Sequence, residues 1–461
     1  EASLIVDRDH PESARVPIKV RSKPDEGAAP RILEVSYEYA GAVVGRTWVQ
    51  ILVVAGAPEQ TAEAAVGSAG SPPVLPAGDT PHLSIDVFSR PGDPELQWRF
   101  HCKYPDVTRP DDVSKTVNYG SPQAFALQMM QQVPAASSGA FVRQTMAGFG
   151  RDVADALPGD FWPIFFETWR LARASGEEPR MLLTTSESWI PWELAWISQD
   201  RLPQGVSDLL GPDVGKGATL GQLWQVGRWA MPTQPQPTGP VPASPPASSV
   251  DANDMVVIIG KYEGDATVNP LPYAEDEGTT LATEYGGLPL DVSSETIAAL
   301  MGCEYQRNGS DFRPTVIHFA GHGQTDVNNP QFTGLLLNGG KRLDPAVIRG
   351  FDLVSATQPF VFLNACEAGV ASETLAHLGG LVGAFLAEGT RAFIAPLWKV
   401  DDVEARDIAL AFYKSVLVDG MSVGAAMQDI RRRFTAASTS ATALAYVFYG
   451  NPNLVLKRGV A

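Results

Sequence analysis

The sequence predicts an α/β protein: a mostly parallel sheet flanked by helices, preceded by a β-rich N-terminal module. Two observations carry this. From residue 255 onward, apolar runs such as MVVIIG, TVIHFA, PFVFLNA and RAFIAPLW alternate with helical stretches. That rhythm builds a parallel sheet buried on both faces. Before about residue 112 the period is two, in ARVPIKVRS, RILEVSYEYA, GRTWVQILVV, HLSIDVFSR and LQWRFHCKY, as in half-buried antiparallel strands. At 461 residues the chain exceeds one ordinary core, and 44% apolar content with 10 Trp and 19 Phe fills more than one.

Residues 1–112 read as a β-sandwich-like module with turns such as AGAPEQ and GSAGSPPVLPAGD. His101 and Cys102 are neighbours on one strand, so their side chains point to opposite faces and make no dyad. Residues 113–230 read as a mixed α/β segment packing on the α/β core. SPQAFALQMMQQV is a helix capped by Ser121, and RDVADALPGDFWPIFFETWRLARAS gives two helices split at Pro158 and Gly159. RMLLTTSE is a strand leading into WIPWELAWI, where Trp189, Trp192 and Trp196 are expected to pack rather than hold a cofactor. GPDVGK (211–216) lacks phosphate-loop spacing and follows no clear strand. The Pro/Ser-rich tract 231–250 has no periodicity and reads as an extended linker.

Residues 251–461 read as the α/β core. Its strands are MVVIIG, GLPLDV, TVIHFA, PFVFLNA and RAFIAPLW, with NLVLK last. AEDEGTTLATEYG is a helix with acid in its first turn. SETIAALMG is a helix capped by Ser293 or Ser294, and TGLLLNGGKRLD is a hairpin tipped by Gly339 and Gly340. DPAVIRGF is a short helix, HLGGLVGAFLAEG packs closely through its glycines, and amphipathic helices occupy roughly 402–418 and 422–436.

A net charge of −17 argues against nucleic acid as a direct partner, since neutralising phosphates takes clustered Lys and Arg. The three cysteines, Cys102, Cys303 and Cys366, contain no CxxC pair and suggest no disulfide framework. A reducing, cytoplasmic compartment is therefore expected. No run of 18 apolar residues and no secretory leader occurs, so no membrane partner is expected. The chain begins at Glu1 rather than Met, which is compatible with a longer parent protein.

Two strand ends concentrate the chemistry. PTVIHFAGHG ends with His322 between Gly321 and Gly323, and QPFVFLNACEAG ends with Cys366 ahead of Glu367, Ala368 and Gly369. Ligands of open α/β sheets bind beyond the carboxyl ends of the strands. Neighbouring strands would thus bring imidazole and thiol together at one edge, the unit of cysteine-nucleophile chemistry. His318 is the competing base, but it lies inside the strand, where a histidine is usually a hydrogen-bonded core residue. A zinc site wants four ligands, and only His318, His322 and Cys366 lie near one another, with His377 beyond. No metal and no cofactor is expected.

HFAGHG followed by LNACEAG resembles the signature of the CHAT family, caspase-like cysteine proteases related to separases. SESWIPWELAW (186–196) and TRAFIAPLWKVDD (390–402) resemble further segments of it, and the resemblance runs from roughly Phe161 to Val455. Caspases carry a Q-A-C-x-G motif about 50 residues after their His. Here N-A-C-E-A-G follows its His by 44 residues, so order and spacing agree while the local residues differ.

The resemblance implies a caspase-like sheet of about six strands and a Cys366–His322 dyad, with His322 rather than His318 as the base. Backbone N–H groups of Gly323 and Cys366 are expected to hold the oxyanion; no third orienting residue is evident. The resemblance also puts Asp401 and Asp402 near the wall of the P1 pocket, Asp402 foremost, where relatives hold Arg or Lys. An acidic pair opening a helix reads equally as an N-terminal cap. The Lys341-Arg342 loop lies where caspase-type chains are often processed. The implied function is a regulated cysteine endopeptidase cutting a dedicated protein partner, switched on by a sensor protein or domain, as in bacterial immunity and cell-death systems. One rival is a catalytically silent interaction scaffold, against which the intact His322, Gly323 and Cys366 argue. Another is a nucleotide-binding signalling domain, which would need a phosphate loop.

Overall fold

The computed structural model describes residues 29–39, 42–53, 66–67, 80–89, 95–110, 113–116, 122–135, 139–185, 187, 189–202, 217–230, 246–262, 268–326, 329–365, 373–374, 377–378, 380–435 and 437–459. Its centre is one sheet of eleven strands. In chain order these are β1 (Leu83–Ser89), β2 (Leu96–Cys102), β3 (Val113–Lys115), β4 (Arg180–Thr185), β5 (Gln225–Ala230) and β6 (Met255–Ile259). Then come β7 (Leu288–Asp291), β8 (Val316–Ala320), β9 (Phe360–Asn364), β10 (Ala392–Pro396) and β11 (Tyr446–Tyr449). Across the sheet the order is β7-β6-β8-β9-β10-β11-β5-β4-β1-β2-β3. Only the β10–β11, β1–β2 and β2–β3 neighbours are antiparallel, so the sheet is mostly parallel. Helices flanking it include α1 (Pro122–Ala135), α2 (Gly139–Ala156), α3 (Phe161–Ala174), α4 (Pro272–Tyr285), α5 (Ser294–Met301), α6 (Gly380–Ala387), α7 (Asp402–Leu417) and α8 (Val423–Arg432).

The apolar runs explain the centre. Every residue of β6, β8, β9, β10 and β11 is buried, as strands covered on both faces require. Helix starts follow local chemistry. Ser293 accepts from the Thr296 N–H ahead of α5, Ser422 from Ala425 ahead of α8, and Asp401 from Glu404 ahead of α7. Pro272 opens α4, and Gly286, at φ 64°, ends it in the left-handed conformation. Pro158 and Gly159 separate α2 from α3.

The sheet of the core, β6 to β11, has the six strands expected, but it does not stop there. β11 lies beside β5 and β5 beside β4, both parallel. HLSIDVFSR and LQWRFHCKY are β1 and β2 of this same sheet, with β1 parallel to β4. The stretch expected as one sandwich-like module therefore divides: residues 83–115 extend the central sheet, while strands at Ala29–Tyr39, Ala42–Val53 and Val66–Gly67 form a separate antiparallel sheet. YVFY supplies the sixth core strand, whereas Val455–Lys457 pairs with Ser249–Asp251 in a small sheet of its own. Ser121, GPDVGK and residues 231–245 lie outside the described residues.

A buried charge cluster joins the two halves. The Arg228 guanidinium on β5 donates through Nε to Glu193 at 2.9 Å and through Nη2 to the Ile190 carbonyl at 2.9 Å. Arg431 on α8 brings its Nη2 to 3.9 Å from the same carboxylate. All three side chains are buried, and burial pulls the Arg431 guanidinium down to about 10. Trp192 meets Trp98 edge to face, centroids 4.9 Å apart, so the WIPWELAW tryptophans are packing residues.

Candidate active site

β8 and β9 are parallel neighbours with Ala320 opposite Asn364, so the chain leaves both at one sheet edge. The Gly321 N–H donates to the Asn364 carbonyl at 3.3 Å, tying the two exits together. A Cβ on Gly321 would stand 2.8 Å from the Tyr262 hydroxyl and 2.9 Å from the Phe319 ring, so a residue without one is needed there. His322 follows at once. Cys366, two residues past Asn364, lies outside the described residues together with Glu367, Ala368 and Gly369; Ala365 before it is buried.

His322 is held on three sides. Its backbone N–H donates to the Tyr262 hydroxyl at 2.8 Å, and the two rings lie 5.1 Å apart. Its Nε2 lies 2.8 Å from the Asn269 carbonyl oxygen. A carbonyl only accepts, so Nε2 carries the hydrogen and the neutral ring keeps its lone pair on Nδ1. Tyr262 is itself anchored, donating to the Leu336 carbonyl at 3.3 Å, and burial pushes its phenol up to about 12. It therefore stays a neutral hydroxyl that accepts from His322.

His318 has a different setting. It is fully buried; its Nε2 lies 2.7 Å from Glu277 Oε1 and its Nδ1 3.3 Å from the Tyr413 hydroxyl. Both ring nitrogens are occupied in the interior, so this ring has no face for a substrate.

A cleft of about 750 Å³ opens at this edge. His322, Gly323, Glu277, Asn364, Asp401 and Asp402 all line it. Asp401 caps α7, accepting from the Glu404 N–H at 3.0 Å. Burial pushes the Asp402 carboxyl above its usual range, while the Tyr273 backbone N–H and the His322 ring act against that shift. Val133 and Pro134, at the end of α1, also line the cleft, so it has a wall contributed by the first half of the chain. Lys341 and Arg342 are exposed at the hairpin, with Lys341 Nζ 2.9 Å from Ser294 Oγ. Among the described residues, no group of His, Cys, Asp and Glu is arranged to hold a metal ion. No helix there is long and apolar enough to cross a membrane.

Residues 231–446 match the family model of the CHAT domain. This stretch of the chain is a CHAT domain. The domain contains His322, Cys366, Asp401 and Asp402. Among solved structures the chain is similar to separase in two crystal structures of the Saccharomyces cerevisiae separase–securin complex, at 2.6 and 3.0 Å. Each shows 10% identity and a TM-score of 0.43, and the match covers 82% and 83% of this chain. The chain aligns with 30% of the length of that separase. No curated protein matches it.

Three participants escaped the sequence reading. The Asn269 carbonyl is a main-chain group in an irregular stretch and leaves no mark in composition. Tyr262, just past the end of β6, belongs to none of the motifs. Glu277 looked like one more acid at the start of an acidic helix, yet it is 1% exposed and faces the strand ends.

Proposed function

We propose that the CHAT domain is a cysteine endopeptidase working through Cys366 and His322. The observation that carries this is the His322 ring at the cleft, its Nε2–H held by Asn269 and its lone pair on Nδ1, one residue past Gly321, whose N–H is bonded to the Asn364 carbonyl. In this reading Nδ1 takes the proton of the Cys366 thiol, and the thiolate sulfur attacks the scissile carbonyl carbon. The carbonyl π pair moves onto oxygen, where the backbone N–H groups of Gly323 and Cys366 stabilise it. Collapse breaks the C–N bond, and the leaving amine takes the proton from Nδ1. Water, deprotonated by Nδ1, then hydrolyses the thioester and restores the thiol. The Asn269 carbonyl serves as the orienting group, fixing the tautomer and steadying the imidazolium.

Asp402 supports a preference for Arg or Lys at P1, since it brings carboxylate charge to the cleft that holds His322. Asp401 is spent on capping α7. The substrate is proposed to be a dedicated protein partner, and activity to be switched by a sensor protein or domain, in a bacterial defence or cell-death setting. The test incubates the full chain with candidate partner proteins and sequences new termini, against Cys366→Ala. Cuts after Arg or Lys that vanish in the variant support the reading, whereas cuts after Asp would remove the role of Asp402. Unchanged proteins with every partner would leave the silent scaffold.

A further inference from the structure

We infer that Glu277 is a positioning residue: its buried carboxylate sets the separation of the two strand exits that carry the dyad. The inference rests on the peptidase reading above. Glu277 comes from α4, outside both motifs, and accepts from both motif strands at once. Asn364 Nδ2, at the end of β9, lies 2.9 and 2.8 Å from its two oxygens, and His318 Nε2, in β8, lies 2.7 Å from Oε1. A side chain bonded to adjacent strands fixes how far apart and at what height they end.

Asn364 is saturated by its partners. Its amide also donates to the Ala405 carbonyl at 3.1 Å, and its Oδ1 accepts from the Tyr446 hydroxyl at 2.7 Å. Its main-chain carbonyl takes the Gly321 N–H. Asn364 therefore links α4, α7, β11 and the exit of β8 two residues before the proposed nucleophile. Burial pushes the Glu277 carboxyl above its usual range, while its hydrogen bonds with His318 and Asn364 act toward the charged form, in which such bonds are the stronger kind. A full set of partners makes such a network rigid, and a missing member makes it costly. A carboxylate here also lies at the cleft, but its oxygens are already engaged by Asn364 and His318, which favours holding the strands over binding substrate.

The test compares wild type, Glu277→Gln, Asn364→Asp and the double variant, in the full chain. Two readouts are used: kcat and KM for a cleaved peptide, and the rate at which iodoacetamide alkylates Cys366. Glu277→Gln sets an amide against the Asn364 amide and is expected to lower kcat about 100-fold, the scale of an ångström-sized misplacement, with KM within about twofold. Alkylation of Cys366 should slow in parallel. The double variant restores a donor–acceptor pair between the two side chains but sets an oxygen against the Ala405 carbonyl, so it is expected to recover only part of that loss. Tyr446→Phe removes one donor to Asn364 while keeping the ring, and should lower kcat in the same direction if Glu277→Gln does not fold. Wild-type kinetics in both Glu277→Gln and Tyr446→Phe would overturn the inference, as would a loss confined to KM. Failure of the peptidase reading looks different: wild-type Cys366 would then alkylate no faster than in His322→Ala, and no peptide would be cut.

Discussion

His322 Nε2 lies 2.8 Å from the Asn269 carbonyl oxygen, and this contact decides which ring nitrogen keeps its lone pair. Because a carbonyl accepts only, Nδ1 holds the lone pair of the neutral ring. An imidazole fixed in one tautomer by its outer nitrogen is ready to act as a base at the inner one. In the peptidase reading proposed above, the same contact supplies the orienting group without a third catalytic side chain.

Tyr262→Phe removes the hydroxyl that accepts the His322 N–H and donates to Leu336. A part-buried N–H is then left without its partner, at a cost of about 1–3 kcal/mol. Chemical denaturation is expected to show that loss, with peptide turnover falling further than the stability change alone predicts.

Gly321→Ala forces a Cβ to within 2.8 Å of Tyr262 Oη and 2.9 Å of Phe319. Overpacking of this kind costs about 1–3 kcal/mol, and the displaced groups are the ones that seat His322. The melting temperature should drop and kcat should fall. Gly339→Ala, at φ 71° on the exposed hairpin, should affect stability while leaving kcat unchanged.

The two neighbouring aspartates should separate cleanly. Asp401→Ala removes the cap of α7 and should cost about 1 kcal/mol with little change in P1 preference. Asp402→Asn should leave stability near wild type and lower kcat/KM for Arg or Lys at P1 relative to an uncharged residue. Profiling a P1 peptide series with both variants measures this directly.

Glu193→Gln removes the carboxylate that pairs with buried Arg228 and lies beside buried Arg431, a change worth about 3–5 kcal/mol. Urea unfolding is expected to show a loss of that size. An isolated 231–461 fragment, which removes both β5 and Glu193 from beside β11 and Arg431, should be insoluble or unfolded; a stable, folded fragment would show that the shared sheet is dispensable.

Acid sensitivity has a separate marker. Lys103 first, and His82 second, hold the Glu177 carboxyl down at about 2, against an ordinary value of 4.5. A lowered carboxyl contributes stability that is present above its unfolded value and lost as pH falls through its folded value. Wild type should therefore exceed Glu177→Gln in stability above pH 4.5, and the difference should vanish as pH falls toward 2. Unfolding midpoints across that range check it.

Much of the core was legible because buried parallel strands write themselves as apolar runs closed by small residues. β6, β8 and β9 follow that rule, and the hairpin at Gly339 and Gly340 is marked by its turn glycines. β1 and β2 misled for a physical reason. Period-two alternation reports a strand, not the sheet it joins, and β1 pairs with β4 some 98 residues onward, Leu83 with Met181. β11 was missed because four apolar residues after a short helix resemble a helical continuation. At the cleft, the position of His322 beyond a strand end and the Asp401 cap were readable from residue type. The Asn269 carbonyl and the Glu277–Asn364 contact depend on distances between remote segments, which no local pattern encodes.

The most direct measurement is covalent capture of the nucleophile. The full chain is treated with a peptidyl acyloxymethyl ketone ending in Arg, and the modified residue is mapped by tandem mass spectrometry in wild type and His322→Ala. The expected result is stoichiometric label on Cys366 in wild type and at least a hundredfold slower labelling without the imidazole. Label spread over Cys102 and Cys303, or a Cys366 rate indifferent to His322, would contradict the peptidase account.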